Sequence, residues 1–84
     1  MRIKFEVKFT PRFSKNIKSL EKTVQVQVVR GIDILRTNPY AGKPLHGEWK
    51  GVFSLRIDDY RVLYQVKGSV VLLLTVRHRK HVYK

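Results

Sequence analysis

Residues 2–9 (Arg-Ile-Lys-Phe-Glu-Val-Lys-Phe) alternate charged and apolar side chains without a break. A period of two belongs to a β-strand with one buried face, here Ile3, Phe5, Val7 and Phe9. Thr10-Pro11 then reads as a helix start. Threonine caps free amides, and proline fits the first helical position because its missing N–H costs nothing there. Phe13, Ile17 and Leu20 follow at helical spacing, with Lys15 and Lys18 outside the stripe. Residues 21–38 carry two patterns. Thr23 to Val28 alternates and is β-branched, as a strand would be. The longer window sets Val24, Val28, Ile32 and Leu35 on one helical stripe and runs to a stop at Asn38-Pro39, which favours a helix despite Gly31.

Residues 39–50 hold two prolines and two glycines and read as an ordered loop. Three runs with turn punctuation follow. Val52 to Ile57 alternates, Asp58-Asp59 turns, and Tyr60 to Val66 alternates again. Lys67-Gly68-Ser69 turns once more, and Val70 to Val76 is almost continuously apolar, as suits a central strand covered on both faces. The expected architecture is α+β: an N-terminal strand, two helices and a three-stranded antiparallel meander, with the helices on one face of a four-stranded sheet. Residues 1–84 form one domain on this reading.

A two-residue turn at Asp58-Asp59 fixes the register of the hairpin. Ile57 faces Tyr60, Arg56 faces Arg61, Leu55 faces Val62 and Ser54 faces Leu63. One face then collects Phe53, Leu55, Ile57, Tyr60, Val62, Tyr64 and Val66, the core. The other collects Val52, Ser54, Arg56, Arg61, Leu63 and Gln65, and is expected to be polar. Like charges facing across strands repel. The Arg56/Arg61 pair makes sense where an anion such as phosphate lies between them. The plainer alternative is that both side chains fan into solvent, or that Asp58 or Asp59 neutralises one.

Charge strengthens the first reading. The 84 residues contain 18 Lys+Arg against 6 Asp+Glu, a formal +12, and no cysteine. Such a surface attracts polyanions, with nucleic acid the foremost target and anionic membrane or an acidic protein as rivals. The absence of cysteine excludes disulfides, thiol catalysis and Cys-type zinc sites, and fits a cytoplasmic protein. No apolar run approaches a membrane span. The tail, Arg77-His78-Arg79-Lys80-His81-Val82-Tyr83-Lys84, adds four fixed cations, two imidazoles and a tyrosine without an acid. Arginine and lysine hold phosphate while tyrosine or histidine stacks on a base. A frayed basic tail is the bland alternative. His78 and His81 sit among cations that repel a dication, which argues against a metal site, and no cofactor is expected.

The hairpin Leu55-Arg56-Ile57-Asp58-Asp59-Tyr60-Arg61-Val62-Leu63-Tyr64, the segment Leu45-His46-Gly47 through Gly51 and the ending His78-Arg79-Lys80-His81-Val82-Tyr83 resemble the RelE/ParE superfamily of toxins from toxin–antitoxin modules. The likeness covers essentially the whole chain and favours helix for residues 21–38. It implies a RelE-like, metal-free endoribonuclease acting on mRNA in the ribosomal A site, with the RNA's 2′-OH attacking the adjacent phosphate. The implied partners are a small RelB-like antitoxin, a 70S-type ribosome and mRNA, with no membrane. Position by position it assigns Arg61 to the scissile phosphate, Arg79 to the transition state, and Tyr83 to base stacking or orientation of the nucleophile. Arg56 matches a further basic position and becomes a phosphate contact; Lys50, Arg77, Lys80 and His81 are expected RNA or phosphate contacts from their charge, although Arg77 stands where the family often has glycine. Val52 and Ser54 stand where the well-studied form has lysines, so the general base is open among His78, His46, Glu48, Lys50 and Tyr83. Imidazole, which titrates near about 6.5, suits that role better than lysine, and His78 ranks first for its place beside Arg79. Two alternatives remain: a ParE-like DNA gyrase inhibitor without RNase activity, and a plain basic nucleic-acid-binding domain.

Overall fold

The computed structural model describes residues 4–80. The order is β1 (Glu6–Phe9), α1 (Pro11–Lys18), α2 (Lys22–Ile32), a 3-10 turn at Asp33–Arg36, β2 (Lys43–Pro44), a second 3-10 turn at Gly47–Trp49, β3 (Phe53–Ile57), β4 (Tyr60–Lys67) and β5 (Val70–His78). The strands form one sheet in the order β1-β5-β4-β3-β2. The expected α+β arrangement is present. The sheet has a fifth strand because two loop residues, Lys43 and Pro44, pair with Ser54 and Phe53.

Thr10 caps α1 by accepting from the Phe13 amide at 3.2 Å, and Pro11 occupies the first turn. The 21–38 segment is helical, and its long stripe is what is buried. Val28, Ile32 and Leu35 are buried, and Val24 packs beside them. Gly31 lets α2 approach the sheet, since a Cβ there would lie 2.6 Å from Ile57 Cδ1. Phe13 and the α2 stripe meet Val62, Tyr64, Val71, Leu73 and Val76 in the main core. Phe53 stacks on Tyr64, whose hydroxyl accepts from the Gly42 amide at 2.8 Å. Burial pushes the Tyr64 phenol above its ordinary value, partly countered by that hydrogen bond.

The β3–β4 register is the one the turn dictates, including Arg56 opposite Arg61. Asp58 adopts a left-handed conformation at φ 56, which aspartate tolerates better than most side chains. β5 is an interior strand, between a parallel β1 and an antiparallel β4, which takes the middle of the sheet. The expected buried face of the first strand holds in part. Phe5 and Val7 pack against the core, Phe9 is 46% exposed against Phe13, and Ile3 lies outside the described residues.

The open face of the sheet departs from the polar expectation. Leu63 and Val52 are buried there in a second apolar cluster with Leu45 and Leu74, and Ser54 is buried beside them. The cause is the loop from 45 to 52. The Leu45 amide donates to Val52 O at 2.9 Å, closing the loop, and its two apolar ends fold back over Leu63.

Candidate nucleic-acid interface

β5 changes parity partway along its length. Leu63 pairs with Thr75 but Tyr64 pairs with Leu73, so Leu74 is an extra residue, a β-bulge. Before the bulge, the odd positions Val71 and Leu73 enter the core; after it, Val76 does. Strict alternation from Leu73 would aim Arg77 at the helices and His78 at the open face. The bulge reverses both. Thr10 holds it in place: its hydroxyl contacts the Leu73 and Leu74 carbonyls at 2.7 and 3.2 Å, and its amide donates to Leu73 O at 3.2 Å. One threonine thus starts α1 and ties it to the kink in β5.

As a result, Arg77 pairs with Arg61, which pairs with Arg56, in a row across three strands of the open face. Arg61 and Arg77 are half-buried and Arg56 is exposed. Neither aspartate of the turn neutralises the row. Arg56 Nε donates to the Asp58 carbonyl at 3.2 Å, and the Asp59 carboxylate lies 3.9 Å from Arg79 Nε. The two ion pairs among the described residues, Arg36–Asp33 and Arg79–Asp59, leave Arg56, Arg61 and Arg77 with no acidic partner. Like charges at facing positions on one sheet face repel one another, and an anion bound among them relieves that repulsion.

Arg79 sits one residue past β5, its amide donating to Asp59 O at 2.8 Å, and Lys80 follows it. His78 departs from the expectation that it works beside the arginines. Neighbours on a strand point to opposite faces, so His78 pairs with Tyr60 and meets its ring edge-on at 5.4 Å on the helix side. Its Nδ1 also accepts from the Lys80 amide at 3.3 Å. The loop of residues 45–52, whose Leu45 and Val52 pack over Leu63 on the open face, carries His46, Glu48 and Lys50. All three are exposed around the 3-10 turn, which Gly47 (φ 66) and Gly51 (φ 91) bracket. His81 and Tyr83 lie outside the described residues.

The periodic reading missed two side chains at this face. Trp49, 37% exposed, and Arg12, on the first turn of α1, both line a groove of about 330 Å³ beside Arg77. Its floor includes Leu63, Leu74 and Thr75. A lone tryptophan in a glycine-bracketed loop shows no period, and only its rarity marks it. Among the described residues, no three His, Asp or Glu side chains gather in a way that would hold a metal ion. No helix there is long and apolar enough to cross a membrane.

Residues 7–83 match the family model of the ParE toxin of type II toxin–antitoxin systems. Toxin RelG of Mycobacterium tuberculosis is 32% identical over 84 residues, covering 95% of this chain and 97% of that protein. The toxin–antitoxin complex RelBE2 of Mycobacterium tuberculosis contains a chain that superposes with a TM-score of 0.86 at 31% identity, covering 94% and 95% of the two chains. The archaeal RelE–RelB complex from Pyrococcus horikoshii OT3 gives 0.76 at 26% identity, covering 94% and 99%. The protein belongs to the RelE/ParE superfamily and is a toxin of the toxin–antitoxin type.

Proposed function

We propose that the protein is a ribosome-dependent endoribonuclease that cleaves mRNA in the A site, held inactive by a small RelB-like antitoxin. The observation that carries this reading is the Arg56–Arg61–Arg77 row, three cations at facing positions across the open face with no acidic partner among the described residues. In-line attack by a 2′-oxygen forms the O2′–P bond and breaks the P–O5′ bond. The 2′ proton passes to a base, and the departing 5′-oxygen takes one up. Negative charge builds on the phosphorane oxygens, and preorganised guanidiniums beside a half-buried floor stabilise it without reorganising.

Arg61 contacts the scissile phosphate, with Arg56 and Arg77 on its flanks. Arg79 joins them by leaving Asp59, a loose pairing between half-exposed groups that costs little to break. Lys80 and His81 hold the RNA backbone. Tyr83 stacks on a base, as the resemblance implies. The proton acceptor is drawn from His46, Glu48 and Lys50, on the loop whose Leu45 and Val52 pack over Leu63 on the open face; His78 serves by packing Tyr60. An acidic antitoxin complements the chain's +12 and masks the row.

Cleavage of mRNA on programmed ribosomes by wild type and Arg79→Ala tests the reading. A-site cuts that fall at least about a hundredfold in the variant support it, matching the loss of one charge-stabilising group. The matched family model is that of a ParE toxin, which keeps the alternative implied by the resemblance, a ParE-like gyrase inhibitor, in view. Intact mRNA together with poisoned gyrase would establish that reading, and neither effect would leave a simple nucleic-acid-binding domain.

A further inference from the structure

The groove next to the arginine row combines features that one phosphate does not need. Leu63 and Leu74 make its floor apolar, the Trp49 indole stands at its side, and Arg12 and Arg77 flank it with charge. A purely apolar ligand has no use for two guanidiniums, and a bare phosphate has none for a leucine floor and an indole. A nucleotide satisfies both, because it joins a flat, stackable base to an anion. At about 330 Å³ the groove is at the small end of the range, roughly 300–1,000 Å³, of ligand sites. Thr75 is fixed inside it by donating to Asn16 Oδ1 at 2.5 Å, which leaves its oxygen lone pairs to accept from the amino edge of a base.

We propose that this groove is a nucleobase subsite: an unstacked base lies between Trp49 and Leu74, above the buried Leu63, and its phosphodiester is held by Arg12 and Arg77. The inference rests on the reading of the open face as an RNA interface and adds where the flanking nucleotide goes. Both new residues belong to rigid supports. Trp49 rides on the loop closed by Leu45 and Val52, and its carbonyl accepts from the Val52 amide at 3.0 Å. Arg12 belongs to the helix that Thr10 fastens to the bulge. The groove is therefore formed before RNA arrives.

Trp49 is the only tryptophan in the chain, so its fluorescence reports on the groove directly. The full-length protein is titrated with a short 2′-deoxy oligonucleotide, which carries bases and phosphates but no attacking 2′-hydroxyl. Saturable quenching is expected, with affinity reduced about tenfold by removing the bases and about fivefold by Arg12→Ala. In the cleavage assay Trp49→Ala is expected to raise KM about tenfold with kcat nearly unchanged, and Trp49→Phe to restore most of the loss. Equal binding of abasic and base-bearing strands, or no rescue by phenylalanine, overturns the subsite. Base-dependent quenching by a wild type that cuts no mRNA keeps the subsite and overturns the RNase reading. Base-independent quenching beside cleavage that Arg61→Ala abolishes does the reverse.

Discussion

The two faces of this sheet are built from the same strands and answer to different demands. On the helix face, alternate residues of β3, β4 and β5 meet Phe13 and the α2 stripe, and nearly every one is apolar. On the open face the intervening residues are divided. Leu63, Val52, Leu45 and Leu74 form a small apolar anchor, and a row of arginines crosses the strands beside it. The first face lowers the free energy of the folded chain. The second sets like charges at facing positions, which costs some of that stability. Because side chains alternate, one strand serves both ends, and a single bulge decides which residue serves which.

Substitutions that separate the faces follow from this, the largest first. Leu73→Ala empties a fully buried site on the helix face and is expected to cost about 2–5 kcal/mol, read by denaturant unfolding. Tyr64→Phe leaves the buried Gly42 amide without its acceptor and is expected to cost about 1–3 kcal/mol. It also changes the alkaline limb of stability. The Tyr64 phenol is raised in the fold, so its contribution is whole below the ordinary value of 10.0 and is lost as pH climbs through the folded value. The wild type should therefore lose more stability above that pH than the phenylalanine variant.

Thr10→Ala probes the junction of the faces. Loss of the cap alone is expected to cost about 1 kcal/mol. Because the same hydroxyl fastens the bulge that aims Arg77, cleavage should fall by about tenfold more than the unfolded fraction explains, equivalent to about 1.4 kcal/mol. A fall that tracks the unfolded fraction alone would make Thr10 a simple cap.

The helix face was largely legible in the sequence. A period of two and a two-residue turn leave one register for β3 and β4, and the long stripe from Val24 to Leu35 outweighs the local β-branched alternation. The open face was half legible. Arg56 and Arg61 came from the same register argument, whereas their alignment with Arg77 depends on the bulge. One extra residue at Leu74 leaves no mark in a continuously apolar run, yet it exchanges the faces of Arg77 and His78. Trp49 and Arg12 could not be placed from periodicity because a folded-back loop and a helix start bring them to the groove. The burial of Leu63 under Leu45 was hidden for the same reason: it needs a contact between a loop and a strand.

The central claim, that the arginine row exists for its anion and not for the fold, is tested most directly by Arg61→Ala, with stability and ribosomal mRNA cleavage measured on the same preparation. The unfolding free energy of this variant is expected within about 0.5 kcal/mol of wild type, or slightly higher, as repulsion in the row is relieved. Its cleavage per folded molecule is expected to be lower by at least about a hundredfold. A variant that unfolds while its remaining folded molecules cleave at the wild-type rate would contradict that claim.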